Sequence, residues 1–478
     1  MNELLQYSAI ALAKALQSKQ ISAVDVLDAC FKWIDQLDHR LKAFITLCPE
    51  RAYAEAQRAD EAIVHGQLLG PLHGIPIAIK DLTLTAGVRT TYGSPIYKEH
   101  VPTQDELCVA RLRAAGGIVI GKTNTPEFGL GDATTNPLLG PTANPYDLDK
   151  TCGNSSGGSA VAVATGMCPL AQGTDMGGSV RMPASFCGIV GLRPSIGRIP
   201  RVPKPLLWDT LVSDGIFART VEDAAFMLSV MAGYDARDPV AIAQSSWSAP
   251  DFSDHSLQQM RQRIRVAYSH DLGVAPVADD VVAIVEAAVA QMQSVCQSIT
   301  IDQPDCSAAP QAFEVLRAAV LLHSHKHHLE HHDDQIADNF RWNVERGLGI
   351  SAADFLQAES DRSQLYLNFL EFFERYDVLV TPCSSVLPFP HTQHEILEIN
   401  GKPLRNIIDY LAITYIISLT GLPTLSIPCG WTPSGLPVGM QLVGKPHGEA
   451  ELLQFAYLLQ QDLGFCHHWP PEFSLALK

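Results

Sequence analysis

An α/β fold is what this sequence predicts, and two observations predict it. Short apolar runs with strand character, at residues 75–79, 118–120 and 378–380, alternate with segments of helical periodicity. The composition can also fill a large core, since 46% of the 478 residues are hydrophobic and only 18% charged. That length allows two or three domains, although large α/β enzymes often keep one core.

Charge and cysteine usage narrow the class. A formal charge of −17 argues against a general nucleic-acid or membrane-surface binder, so neither partner is expected. No uninterrupted apolar stretch of about 18 residues occurs to span a membrane. The N-terminus lacks a basic region followed by an apolar run, and reads as an amphipathic helix. Eleven scattered cysteines without a C-x-x-C pair fit reduced thiols better than a disulfide framework or a zinc site, which points to the cytoplasm.

In chain order, residues 7–62 read as helical. Ser22 can cap a helix that carries Val24, Leu27, Phe31 and Ile34 on one face. In residues 71–82, PLHGIPIAIKDL, Ile75, Ile77 and Ile79 alternate as in a strand, which throws Lys80 onto the other face or the strand's end. Taken alone, such a lysine is most often a snorkelling side chain. As a base it would have to be neutral, its pKa lowered by about 3 at a cost of roughly 4 kcal/mol, and an apolar setting among isoleucines can do that. Residues 118–120 form the next strand.

Residues 151–191 organise the rest. They hold two Gly-Gly-Ser turns, Ser155-Ser156-Gly157-Gly158-Ser159 and Gly177-Gly178-Ser179, with a small-residue helix between them. Glycine lets backbone N–H groups turn inward, so a serine beside such amides has a cradle for negative charge, the layout acyl transfer needs. The backbone amides of Met176, Gly177, Gly178 and Ser179 are the oxyanion-hole candidates. A linker is the bland rival, but Val161, Val163, Ile189 and Val190 lie too close to the glycines for one. A phosphate loop is the other rival, and its G-x-x-x-x-G-K-[ST] pattern is absent from this stretch.

This stretch closely resembles the signature of the amidase signature family of serine hydrolases, which use a Ser–cis-Ser–Lys triad in place of Ser-His-Asp. The resemblance implies that Ser179 is the nucleophile and Ser155 the bridging serine after a cis peptide bond. It makes Lys80, in the run P-L-x-G-I-P-x-x-x-K-D, the base. Asn154 departs from the glycine or threonine of many members. Ser156 and Thr174 are expected to brace the triad, and Asp175 with Arg181 to form an ion pair fixing the nucleophile turn. Residues 122–128, with their K-x-N-x-x-E-F segment, are expected to wall the site. The implied fold is one large domain with a mixed, mostly parallel sheet of about eleven strands covered by helices on both faces. Residues 1–65 would form a helical layer packed on a catalytic domain of residues 66–478. Neither metal nor organic cofactor is implied.

Substrate residues are less marked. The proline-rich segment 193–212 suggests a mouth loop carrying Leu206 and Trp208, and Cys383, Tyr415 and Ile416 suggest an apolar wall. These favour a neutral amide with an aryl or alkyl portion, with carbamates as further substrates, while Arg198 and Arg201 are the counter-evidence for a carboxylate. Histidines 323, 327 and 331, and 328 and 332, recur at i, i+4, but lack the HExxH order and read as an exposed segment rather than a metal site. The expected function is carboxamide hydrolysis through an acyl-enzyme on a small-molecule amide, by a monomer or homodimer. Two alternatives stay open: the glutaminase-like component of a tRNA-dependent amidotransferase, and a non-catalytic binding module on the same scaffold.

Overall fold

The computed structural model describes residues 3–243, 250–393 and 395–474. Its strands, in chain order, are β1 (Phe44–Leu47), β2 (Pro76–Lys80), β3 (Ile118–Thr123), β4 (Ala143–Asn144), β5 (Asp147–Thr151), β6 (Leu170–Asp175), β7 (Val190–Arg193) and β8 (Ser213–Ala218). They continue with β9 (Arg265–Tyr268), β10 (Ser298–Ile301), β11 (Val378–Pro382), β12 (Glu398–Ile399), β13 (Lys402–Pro403), β14 (Thr424–Trp431) and β15 (Pro437–Gly444). Eleven of them form one mixed sheet in the order β1-β3-β2-β6-β8-β7-β14-β15-β11-β9-β10, and β4–β5 and β12–β13 are separate two-stranded ribbons.

The expected eleven-stranded mixed sheet in a single α/β domain is what the chain builds. The balance of directions differs from expectation. β2 runs parallel to β3 and β6, and β9 parallel to β10 and β11, but the six other neighbouring pairs are antiparallel. β14 and β15 are joined by a short turn, and β7 runs to β8 with no helix between them, so both pairs lack the crossover that a parallel arrangement requires.

At the N-terminus, Ser22 and Asp25 form a reciprocal capping box that starts the helix Ala23–Leu41. Its Trp33 donates from Nε1 to Thr165 O at 2.8 Å, and Leu27 and Trp33 belong to the same buried cluster as Ile77, Val161 and Leu425. The segment expected to be helical throughout is interrupted by β1, which pairs with β3 at the sheet edge. The chain leaves the helix through Lys42 and buries Phe44 and Ile45 before the helix Pro49–Val64 begins.

The site is set up where β2 and β6 lie adjacent and parallel, with Ala78 opposite Ala171 and Ile79 opposite Gln172. Lys80 therefore ends β2 at the same sheet edge where Asp175 ends β6. In open α/β sheets the carboxyl ends of parallel strands are where ligands bind.

Candidate functional site

The two Gly-Gly-Ser turns meet at that edge. The helix Gly157–Ala164 is buried along its whole length, and the turn before it, including the cis peptide bond Asn154–Ser155, lies against the loop that follows β6. Backbone and side chain lock the two turns together. Ser156 N donates to Ser179 O at 3.2 Å, Ser156 Oγ donates to Thr174 O at 3.2 Å, and Thr174 N donates to Ser156 Oγ at 3.4 Å.

Lys80 is fully buried, and its Nζ stands 2.6 Å from Ser155 Oγ and 3.0 Å from Thr174 Oγ1. Burial pulls its pKa down to about 7, against the opposing pull of the Asp175 and Asp214 carboxylates. Ser155 is 3% exposed, whereas Ser179 is half-buried and opens onto a cavity.

Asp175 explains how the turn keeps its shape. Its carboxylate accepts from the backbone N–H of Gly178 at 2.9 Å and of Val180 at 3.1 Å. It also pairs with Arg181 at 2.9 Å and Arg193 at 3.3 Å, all three side chains fully buried. Burial alone would raise its pKa, but the Arg181 charge and hydrogen bonds, with Arg193, hold it well below the ordinary carboxylate range. Arg181 continues to Thr414 O, Gln441 Oε1 and Ser418 Oγ, tying the turn to the helix Ala412–Thr420. Of the four amides expected to face an oxyanion, Gly178's is thus spent on Asp175. Those of Met176, Gly177 and Ser179 have no acceptor among the described residues. Gly178 sits at φ +118, and a Cβ there would collide with the Thr414 side chain.

Lys122, the second lysine, is also buried but faces away, donating to Thr83 O and to Thr85 Oγ1. Behind Lys80, Gln172 accepts from Lys80 N at 3.2 Å and donates to Asp214 Oδ1 at 2.9 Å. Asp214, Glu106 and Cys108 make a buried group with metal-ligand atoms, but the Arg201 guanidinium already stands 3.8 Å from each carboxylate. That arrangement is a buried charge network with its cation in place.

The cavity beside Ser179 is lined by Gly129, Leu130, Gly131, Asp132, Asn154, Met176, Gly177, Phe313, Arg317, Asn339, Asn343, Ile407, Ile408 and Leu411. Few of these stand out in the sequence. Leu206 and Trp208 lie on a loop outside it, with Trp208 75% exposed. Cys383 and Ile416 are buried in the core, and Tyr415 stands one layer back, stacked on Phe313 with centroids 4.2 Å apart. Arg198 pairs with Glu449 at 3.0 Å. Neither it nor Arg201 lines the cavity. In the histidine segment, His323, His327 and His331 are exposed on a helix as expected, whereas His328 is buried and packs with His325 against Phe128 and Phe340, because that face of the helix lies on the loop after β3.

An α/β chain with a serine turn beside a fully buried lysine, both at the ends of parallel strands, has the layout of a hydrolase. The chain is a member of the amidase signature family of serine amidohydrolases: the Amidase family model matches residues 25–453. Among relatives, it is 34% identical over 499 residues to the A-type component of the glutamyl-tRNA(Gln) amidotransferase of Moorella thermoacetica, covering 99% of this chain and 100% of that one. Among solved structures, a bacterial aryl acylamidase of the amidase signature family superposes with a TM-score of 0.88 at 26% identity, covering 95% of this chain and 96% of that chain. A structure described as a vestigial protein complex bearing on the origins of an s-triazine catabolic enzyme also gives 0.88, at 29% identity, covering 96% and 99%.

These relatives correct the expected partners. A small-molecule amide alone, no nucleic acid and a monomer or homodimer do not describe proteins named as one component of an amidotransferase acting on glutamyl-tRNA(Gln). Net charge is a poor guide here, since it averages over a surface on which a local patch can still bind. Among the described residues, no helix is long and apolar enough to cross a membrane.

Proposed function

We propose that the chain hydrolyses a carboxamide through an acyl-enzyme on Ser179 and, as the relatives' name suggests, does so as the ammonia-releasing component of an amidotransferase. The observation that carries the chemistry is Lys80: fully buried, 2.6 Å from Ser155 Oγ, and with its pKa drawn down to about 7. Such a lysine is substantially neutral at physiological pH and can take a proton.

Ser179 Oγ attacks the amide carbonyl while its proton passes to Ser155 and the Ser155 proton to Lys80 Nζ. The free amides of Met176, Gly177 and Ser179 receive the oxyanion. The protons then return along the same path to the leaving amine, the C–N bond breaks, and water attacks the acyl ester by the reverse relay. Asp175 and Arg181 hold the turn and take no proton. The neutral aryl or alkyl amide remains a second reading, favoured by Leu130, Met176, Phe313, Ile407, Ile408 and Leu411 in the cavity wall.

The test is ammonia release from glutamine set against amine release from neutral anilides, each with hydroxylamine present to trap the acyl group. A hydroxamate and an acyl adduct on Ser179 are expected by mass spectrometry. Turnover that survives in Ser179→Ala would overturn the reading.

A further inference from the structure

Arg317 is the cationic side chain of the cavity, and among the described residues nothing pairs with it. It sits in the helix Ala309–His331, one turn from Phe313, and is 9% exposed. No hydrogen bond or ion pair joins it to any described residue. Asp132, which lines the same cavity, is close enough to act on its charge but not to bond it, and Asp132 Oδ2 is itself buried without a partner among the described residues. Among the other polar liners, Asn154 is engaged by Gly131 O and the Tyr410 hydroxyl, while Asn343 donates to Asn339 and keeps its Oδ1 without a partner among the described residues.

A buried guanidinium cannot shed its charge. Burial lowers the pKa of Arg317 only to about 10, which leaves it cationic at neutral pH. An unpaired buried charge is costly and rare unless a ligand completes it, and a planar guanidinium is the donor set that fits a carboxylate edge-on. Apart from Asp132, Ser179 and the asparagines the wall is apolar, so Arg317 is, among the described residues, the one cation there that can anchor an anionic group of a small substrate.

We infer that Arg317 holds a carboxylate of the substrate, so the amide cleaved at Ser179 belongs to a molecule that also carries a free carboxylate. This rests on Ser179 being the nucleophile, and it takes the opposite side from a neutral aryl amide. Arg317 is then a specificity residue contributed by a helix far in sequence from the serine turns.

Two measurements test it. The first is kcat/KM for glutaramate against its neutral counterpart pentanediamide, in the wild type, Arg317→Met, Arg317→Lys and Asp132→Asn. The wild type is expected to prefer the acid by about 100-fold or more, a preference that Arg317→Met abolishes and Arg317→Lys keeps in part. Asp132→Asn should keep or raise it, because removing a neighbouring negative charge favours an anionic ligand. If Arg317 were only a counter-ion to Asp132, the Asp132→Asn and Arg317→Met variants would fail together and the ratio would not move, which overturns the inference. The second measurement needs no turnover: calorimetric binding of glutaramate to Ser179→Ala, with and without Arg317→Met. Binding lost with Arg317 supports the carboxylate site even if the wild type proves inactive, in which case the nucleophile assignment alone fails. Glutaramate binding no tighter than pentanediamide overturns the carboxylate site whatever the activity.

Discussion

Lys80 Nζ lies 2.6 Å from Ser155 Oγ, and the nearest carboxylates, those of Asp175 and Asp214, act on it only through space. A lysine salt-bridged at this position would stay protonated and could not act as a base. Asp175 is instead held by Arg181, Arg193 and backbone amides, and burial outweighs the pull that its charge exerts on the Lys80 proton.

Removing Lys80 should therefore separate activity from stability. Lys80→Met is expected to lower kcat/KM by about 10²-fold or more, the usual worth of a positioned base. The folded-state pKa is depressed below the unfolded value, so in the wild type the burial penalty is fully present below about pH 7 and fades as pH rises toward lysine's ordinary range. At pH 6 the methionine variant should unfold at no lower urea concentration than the wild type, with an advantage that shrinks by pH 9. A variant that is both inactive and clearly less stable at pH 6 would show that the lysine's hydrogen bonds outweigh its desolvation.

The same pKa sets the rate profile. With neutral Lys80 required, kcat/KM should climb through about pH 7 and level off on the alkaline side. Stopped assays in overlapping buffers, checked for reversibility at each pH, would reveal it. A rate that declines steadily from pH 6 to 9 in folded protein contradicts a lysine base.

Asp175→Asn should cost stability as well as activity. It would leave two buried guanidinium groups, Arg181 and Arg193, facing a neutral amide, and breaking a buried pair by removing one partner typically costs about 3–5 kcal/mol. It would also weaken the acceptor that holds Gly178 N–H, loosening the turn that carries Ser179. The urea midpoint should drop, and labelling by a fluorophosphonate should slow in protein that is still folded. Because the folded pKa of Asp175 is depressed, its contribution to the wild type is present above the ordinary carboxylate range and lost as pH falls below it.

How much of this is legible in the sequence divides along contact order. Lys80, Ser155, Ser156, Thr174, Asp175, Ser179 and Arg181 fall in the runs that carry the family resemblance, and strand alternation at Ile75, Ile77 and Ile79 narrows Lys80 to the other face or the strand's end, the second of which it takes. The sheet's strand count follows from the family resemblance, while its antiparallel half depends on which strands return beside β6, which no local pattern records. The cavity wall escapes the sequence because it converges from residues 129–132, 313–317, 339–343 and 407–411. Trp208 is large and apolar, as a pocket residue would be, but three-quarters of it remains in water. Arg317 does leave a signal: a single charge inside the run VLRAAVLL, on a helix face where Phe313 and Leu316 are buried. A charge at a core position calls for a partner, and the cavity is where one can reach it.

Gly178→Ala gives the sharpest test of the turn's geometry. At φ +118 an alanine is strained whatever its surroundings, and here its methyl group would also meet Thr414 Oγ1 and Cβ. Thr414 has no room to retreat, since its hydroxyl donates to Gly177 O at 2.6 Å and its helix is anchored by Arg181. The substitution should destabilise the fold by about 1–3 kcal/mol. It should reduce Ser179 labelling more than that loss explains, because Gly177 and Ser179, the proposed oxyanion donors, flank the altered residue. Pairing it with Thr414→Ala separates the two causes. The double variant removes the collision but not the backbone strain, so part of the stability should return relative to the sum of the single changes. Strict additivity of the two substitutions would mean that the collision contributes nothing and the backbone conformation alone demands glycine.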